Sequence, residues 1–180
     1  MYINLNKAIK MGNSIYKLPI FGDRDMVNAT YKGTKSFVPD VTCGKVIKVY
    51  DGDTITIAGR VGSVKKFGIG YRGRLCRFSV RLNRIDTPEM KGKNEGEKRI
   101  ARLAQKALQD RIMPEGKDTN GEIVQLKNVT FEKYGRLLAD VYHNGKCLND
   151  WMIESRFAVE YDGGTKGDID WENYHSGGRV

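Results

Sequence analysis

The stretch from Gly44 to Ala58 constrains the fold more than any other part of this chain. Two β-branched runs, Gly44-Lys-Val-Ile-Lys-Val-Tyr50 and Thr54-Ile-Thr-Ile-Ala58, flank the pair Asp51-Gly52. Short strand-forming runs joined at Asp-Gly make a β-hairpin, so a sheet has to be built around this turn. Asp51 can cap the turn with its own side chain. That leaves Asp53 as a surplus carboxylate, either an ordinary turn residue or a group aimed at something positive.

The rest of the chain extends this sheet. Residues 59–74 are rich in Gly, Lys and Arg and read as an exposed loop or the tip of a long hairpin. Leu75 to Ile85 alternates apolar with polar, the pattern of a half-buried third strand. The period then changes. Ile100, Leu103, Ala104, Ala107, Leu108 and Ile112 fall at helical spacing, which predicts a helix over 95–113 closed by Pro114 and Gly116.

Glu122 to Phe131 and Arg136 to His143 predict two further strands, with Lys133-Tyr-Gly-Arg136 turning between them. Asn144-Gly145 marks another turn, and Leu148 to Arg156 a short helix capped by Asn149 or Asp150. Ala158 to Tyr161 is a last extended piece. Five strands with a helix after the third predict an α+β, mostly β fold: a five-stranded barrel of the oligonucleotide-binding (OB) type packed with two or three helices. A small open α+β sheet fits the same order. The expected division is an extension over 1–41, poorly ordered or wrapping the domain, a barrel domain over 42–162, and a flexible tail over 163–180.

Composition narrows the function classes. The 180 residues carry 31 Lys and Arg against 22 Asp and Glu, a net charge of +9. This points to an anionic partner, DNA or RNA before a membrane, because no basic amphipathic anchor is present. A basic balance serving only solubility is the competing reading. No stretch approaches the roughly 20 apolar residues that span a bilayer. Three widely spaced cysteines without a C-x-x-C argue against a disulfide framework and a zinc site. With no apolar signal near the first residues the expectation is an intracellular protein, with export left open, and a monomer.

Charge concentrates at four places where local structure does not need it. Asp53 is the first. Arg81 sits on the third strand, where it either faces water or turns its fork of donors towards a phosphate. Asp86-Thr87-Pro88-Glu89 ends that strand. It reads as a helix cap, except that Lys91-Gly-Lys-Asn94 intervenes before the helical period begins. Pro88 keeps Thr87 extended, so Asp53, Asp86 and the Thr87 carbonyl can form an all-oxygen set suited to Ca²⁺ or Mg²⁺. Lys133-Tyr134-Gly135-Arg136 sets two cations and an aromatic ring at one exposed turn, which suits a phosphate and a base.

In this order, "DGDT" (51–54), "VRLNRIDTPE" (80–89), "KYGRLLADVY" (133–142) and "LNDWMIESRFAVEY" (148–161) resemble the staphylococcal nuclease family. The resemblance runs from about Gly44 to Tyr161. It implies the five-stranded barrel and hydrolysis of DNA and RNA phosphodiesters, Ca²⁺-dependent and with little sequence preference. It also implies roles. Asp53 and Asp86 are metal ligands by side chain, and Thr87 by its carbonyl. Glu89 orients or deprotonates the attacking water, while Arg81 and Arg136 grip the scissile phosphate. Lys133, Tyr134 and Tyr161 hold the neighbouring phosphate and base. This chain departs from the family's pattern in a longer insertion after the first hairpin strands, a shorter segment after Glu89, and a Gly-rich tail where the family has a helix. The rival expectation is a non-catalytic single-stranded nucleic-acid-binding barrel, whose acids serve turns and caps.

Overall fold

The computed structural model describes residues 9–11, 14–16, 28–35, 37–61, 64–66, 69–71, 73–114, 121–132 and 134–179. The chain divides between Phe37 and Val38 into two units. In the first, β1 (Ile9–Met11) and β2 (Ser14–Tyr16) pair antiparallel, with Ile9 opposite Tyr16.

The second unit is built on the Asp-Gly hairpin. Strands β3 (Cys43–Val49) and β4 (Thr54–Val61) pair antiparallel with Val49 opposite Ile55. Alternation, reset by a bulge between Val46 and Lys48, turns Val46, Val49, Ile55 and Ile57 to the inside, where all four are buried. The Gly- and basic-rich insertion is a hairpin tip: β5 (Val64–Lys66) pairs with β6 (Ile69–Tyr71), and β7 (Arg74–Leu82) returns along β4. The predicted third strand does not run straight to Ile85. It breaks at Asn83-Arg84, where Arg84 adopts a φ of 63°, and β8 (Ile85–Asp86) leaves in a new direction to pair with β12 (Val159–Glu160).

Helix α1 (Glu95–Ile112) begins where Asn94 accepts the Glu97 N–H at 2.8 Å, a side-chain N-cap. It lays Ala104, Leu108 and Ile112 on the core. Strands β9 (Ile123–Phe131) and β10 (Leu137–His143) follow. The order β10-β7-β4-β3-β9 closes because β9 pairs back onto β10. Closure leaves no free edge among these five strands, so the open-sheet alternative is excluded. Short β11 (Lys146–Cys147) pairs with β10, and α2 (Leu148–Glu154) caps the barrel with Leu148 and Met152 buried.

Two expectations are corrected. Neither Asn149 nor Asp150 caps α2, whose N-cap position is Cys147 without a side-chain cap bond. Asn149 is instead fully buried: it accepts the Val141 N–H at 2.9 Å and donates to the Asn83 carbonyl at 2.7 Å. The flexible tail expected over 163–180 contains a third helix, α3 (Trp171–His175), whose Trp171 and Tyr174 pack on Ile100 of α1. Val159 and Ile169 join this small cluster, Arg99 pairs with Glu172, and the Tyr174 hydroxyl donates to the Ala158 carbonyl at 3.0 Å.

Candidate active site

Strand register assembles the site. Thr54 lies opposite Arg81 in the β4–β7 ladder, so Asp53, one residue earlier, stands at the mouth of the barrel beside that guanidinium. Strand β10 runs parallel to β7 with Leu137 opposite Val80, which brings Arg136 to the same end. The turn that holds Asp53 is fixed from three sides. Asp51 accepts the Asp53 N–H at 3.1 Å, the Asp53 carbonyl takes the Leu82 N–H at 2.7 Å, and Gln105 of α1 donates to the Tyr50 carbonyl at 2.7 Å. Asp51 is thus the turn residue, as its position suggested, and Asp53 is free for other work.

Asp53 and Asp86 are both buried, and one nitrogen serves both. Arg81 Nη2 is 2.7 Å from Asp53 Oδ2 and 3.4 Å from Asp86 Oδ1. Thr54 also donates its hydroxyl to Asp53 at 2.8 Å. Burial pushes the Asp53 carboxyl up to about 7, opposed by the Arg81 guanidinium and assisted by the nearby charge of Asp51.

An open cavity of about 640 Å³ gathers Asp53, Arg81, Thr87, Glu89, Tyr134, Arg136 and Tyr161 on its walls. Asp86 lies at its side, joined to it through Arg81 and Lys166. Of the nine residues expected from the sequence, eight therefore meet at one place, and Lys133 lies outside the described residues. Arg136 is clamped by Glu132, with Nε at 2.7 Å and Nη2 at 3.0 Å, and these bonds raise its already high pKa. Tyr161 is pinned at both ends: its N–H donates to the Arg84 carbonyl at 2.9 Å and its hydroxyl to the Gly164 carbonyl at 2.7 Å.

Sequence reasoning missed three contributors. Glu132 is one, and Tyr50, 60% exposed on the cavity wall, is another. The third is Lys166. Its Nζ lies 2.8 Å from Asp86 Oδ1 and 2.6 Å from Glu89 Oε1. Burial works against its charge, but the hydrogen bonds to both carboxylates outweigh it and its pKa rises. Nothing in "DGGTKGD" signals this, since a lysine in a Gly-rich run reads as solvated.

The donor set fits a hard divalent cation. Asp53, Asp86 and the Thr87 backbone offer only oxygen, and the two carboxylates converge on a single guanidinium nitrogen. Among the described residues no three or more His, Cys, Asp or Glu side chains are grouped for a metal. Two carboxylates and a carbonyl leave the remaining positions to water, which Ca²⁺ and Mg²⁺ tolerate and a structural zinc site does not. Among the same residues no helix is long and apolar enough to cross a membrane.

No curated protein matches the chain. The model of the family described as staphylococcal nuclease homologue matches residues 79–173, which spans β7 to α3 and includes Arg81, Asp86, Thr87, Glu89 and Arg136. That span is more than half of the chain, and on it the protein belongs to the staphylococcal nuclease homologue family.

Proposed function

We propose that this chain hydrolyses phosphodiester bonds of DNA and RNA, with little sequence preference and with Ca²⁺ as its cofactor. One observation carries the reading: a single Arg81 nitrogen touches Asp53 and Asp86, on a cavity that also holds Glu89 and Arg136. Burial that raises the Asp53 carboxyl to about 7 beside an open hollow, with further cations on its wall, supports the same reading.

Asp53, Asp86 and the Thr87 carbonyl would hold the cation. When bound, it supplies positive charge against the phosphate oxygens. The residues of the chain do the rest. Glu89 takes the proton of the attacking water at its carboxylate. The water oxygen bonds to phosphorus while the bond from phosphorus to the 5′ oxygen breaks. Arg81 and Arg136 donate to the phosphate oxygens, and do more as charge grows at the five-coordinate transition state. Arg136 also donates to the departing 5′ oxygen. Lys133, Tyr134 and Tyr161 position the adjoining phosphate and base.

A binding module without catalysis is the second reading. It is favoured by Lys166, which neutralises Asp86 and Glu89 with no metal at all. The test uses single-stranded DNA with Ca²⁺, with chelator, and with Glu89→Gln. Cleavage is expected only with Ca²⁺, slowed about 10²–10⁴-fold in the variant, the range for losing a general base. Three identical lanes, or DNA bound and uncut, overturn the nuclease reading.

A further inference from the structure

Between Tyr161 and Trp171 the chain reads Asp-Gly-Gly-Thr-Lys-Gly-Asp-Ile-Asp, with Lys166 its single basic residue. Tyr161 is tied to β8 through Arg84 and to Gly164 through its hydroxyl. Asp162 accepts the Gly164 N–H at 3.0 Å, Asp168 pairs with Lys93 at 2.8 Å, and Trp171 is buried. A segment anchored along its length delivers one ammonium onto the two acids that the proposed reaction needs most, the cation ligand Asp86 and the base Glu89.

We infer that Lys166 is a resident counter-cation of Asp86 and Glu89, and that it sets the cation affinity of the site by competing for Asp86. This rests on the function proposed above. Asp86 Oδ1 already receives both Arg81 and Lys166. A divalent ion taking that carboxylate meets the ammonium at contact range in a partly buried site, where like charges repel far more than in water. Lys166 therefore leaves Asp86 as the cation enters, and Glu89 loses its partner in the same event. The base becomes available only once the cation is in place, and the charge that kept the acids together in the metal-free state is removed.

Calcium titrations by calorimetry on the wild type, Lys166→Met, Lys166→Arg and Asp86→Asn test this without reference to activity. Lys166→Met keeps the apolar stem and removes the charge, so it is expected to bind Ca²⁺ about fivefold or more tightly, the lower end of ordinary coupling between sites. Lys166→Arg is expected to return close to wild-type affinity, and Asp86→Asn to abolish binding. Amide exchange over residues 162–168 is expected to rise when Ca²⁺ binds the wild type. If Asp86→Asn abolishes binding while Lys166→Met binds equally or more weakly, the Lys166 inference fails and the metal site stands. If Asp86→Asn changes nothing, or no variant binds Ca²⁺, the metal site itself fails and the Lys166 role falls with it.

Discussion

Arg81 and Asp53 form a two-point ion pair at the end of the β4–β7 ladder, with Nη2 2.7 Å from Oδ2 and Nη1 3.3 Å from Oδ1. The same side chain reaches Asp86 at 3.4 Å, so one guanidinium holds two buried carboxylates that would otherwise repel. Arg81→Met removes that charge and leaves both acids inside. The chelated variant is expected to lose stability, but less than a fully stripped buried pair, which costs about 3–5 kcal/mol, because Asp86 keeps Lys166 at 2.8 Å and Asp53 can take up a proton. Saturating Ca²⁺ is expected to raise its melting temperature more than that of the wild type. Melts of both proteins with chelator and with Ca²⁺ check the prediction, and equal melting temperatures in chelator would rule it out.

Asp53 gives the metal-free protein a pH dependence of definite sign. Its carboxyl titrates near 7 in the folded chain because burial disfavours its charge, against 3.8 for the unperturbed group. Between those values the folded state binds more protons than the unfolded one, so stability falls as pH rises through the window and levels off above about 7. Asp53→Asn removes this contribution. The difference in melting temperature, wild type minus Asp53→Asn in chelator, is expected to decline from pH 5 to pH 8. A flat or rising difference contradicts the assignment.

Much of this site was legible in the sequence because spacing, not packing, sets it. An Asp-Gly hairpin fixes where Asp53 stands, whereas alternation leaves Arg81 open between water and a phosphate until the β4–β7 register sets it beside Asp53. Pro88 keeps the backbone of Thr87 extended after Asp86. The features that escaped prediction all depend on partners distant in sequence. Asn149 looked like a cap because Asn suits caps, yet its bonds go to β10 and to Asn83, 66 residues away. Lys166 finds Glu89 across 77 residues. Trp171 and Tyr174 pack on Ile100 of α1, and Arg156 and Arg99 add polar contacts to the same helix from distant parts of the chain. Local pattern has no access to such pairings.

Asn149 is the polar keystone between α2 and the barrel. Its amide oxygen satisfies the Val141 N–H, and its nitrogen donates to the carbonyls of Asn83 at 2.7 Å and Ala139 at 3.3 Å. All of this lies at 0% exposure of the residue. Asn149→Ala orphans the Val141 N–H and the Asn83 carbonyl, while the Ala139 carbonyl keeps the Asn83 N–H at 2.9 Å, and is expected to cost about 2–4 kcal/mol on the scale of unsatisfied buried groups. Asn149→Asp keeps the acceptor but loses the donor and buries a charge, so it should be no milder. Urea denaturation measures both. A loss below that of an ordinary exposed substitution would mean that the network relaxes without it.

Gly52 links the hairpin to the site by its lack of a side chain. A Cβ there would stand 3.1 Å from the Ala104 Cβ and 3.2 Å from both the Cβ and Cγ2 of Thr87. Neither neighbour is the loose end of a flexible chain, since Ala104 sits on α1 and Thr87 is buried beside Pro88. Gly52→Ala is therefore expected to destabilise by about 1–3 kcal/mol, as overpacking does, and to weaken Ca²⁺ binding by displacing Thr87. Gly145→Ala serves as the control. Its φ of 78° makes any side chain there strained, but nothing lies within 4 Å of the added methyl, and its turn joins β10 to β11. It should cost about 1–2 kcal/mol through the backbone alone and leave the calcium affinity unchanged. If both variants lose stability alike and neither alters Ca²⁺ binding, the close approach of Gly52 to Thr87 does not shape the site.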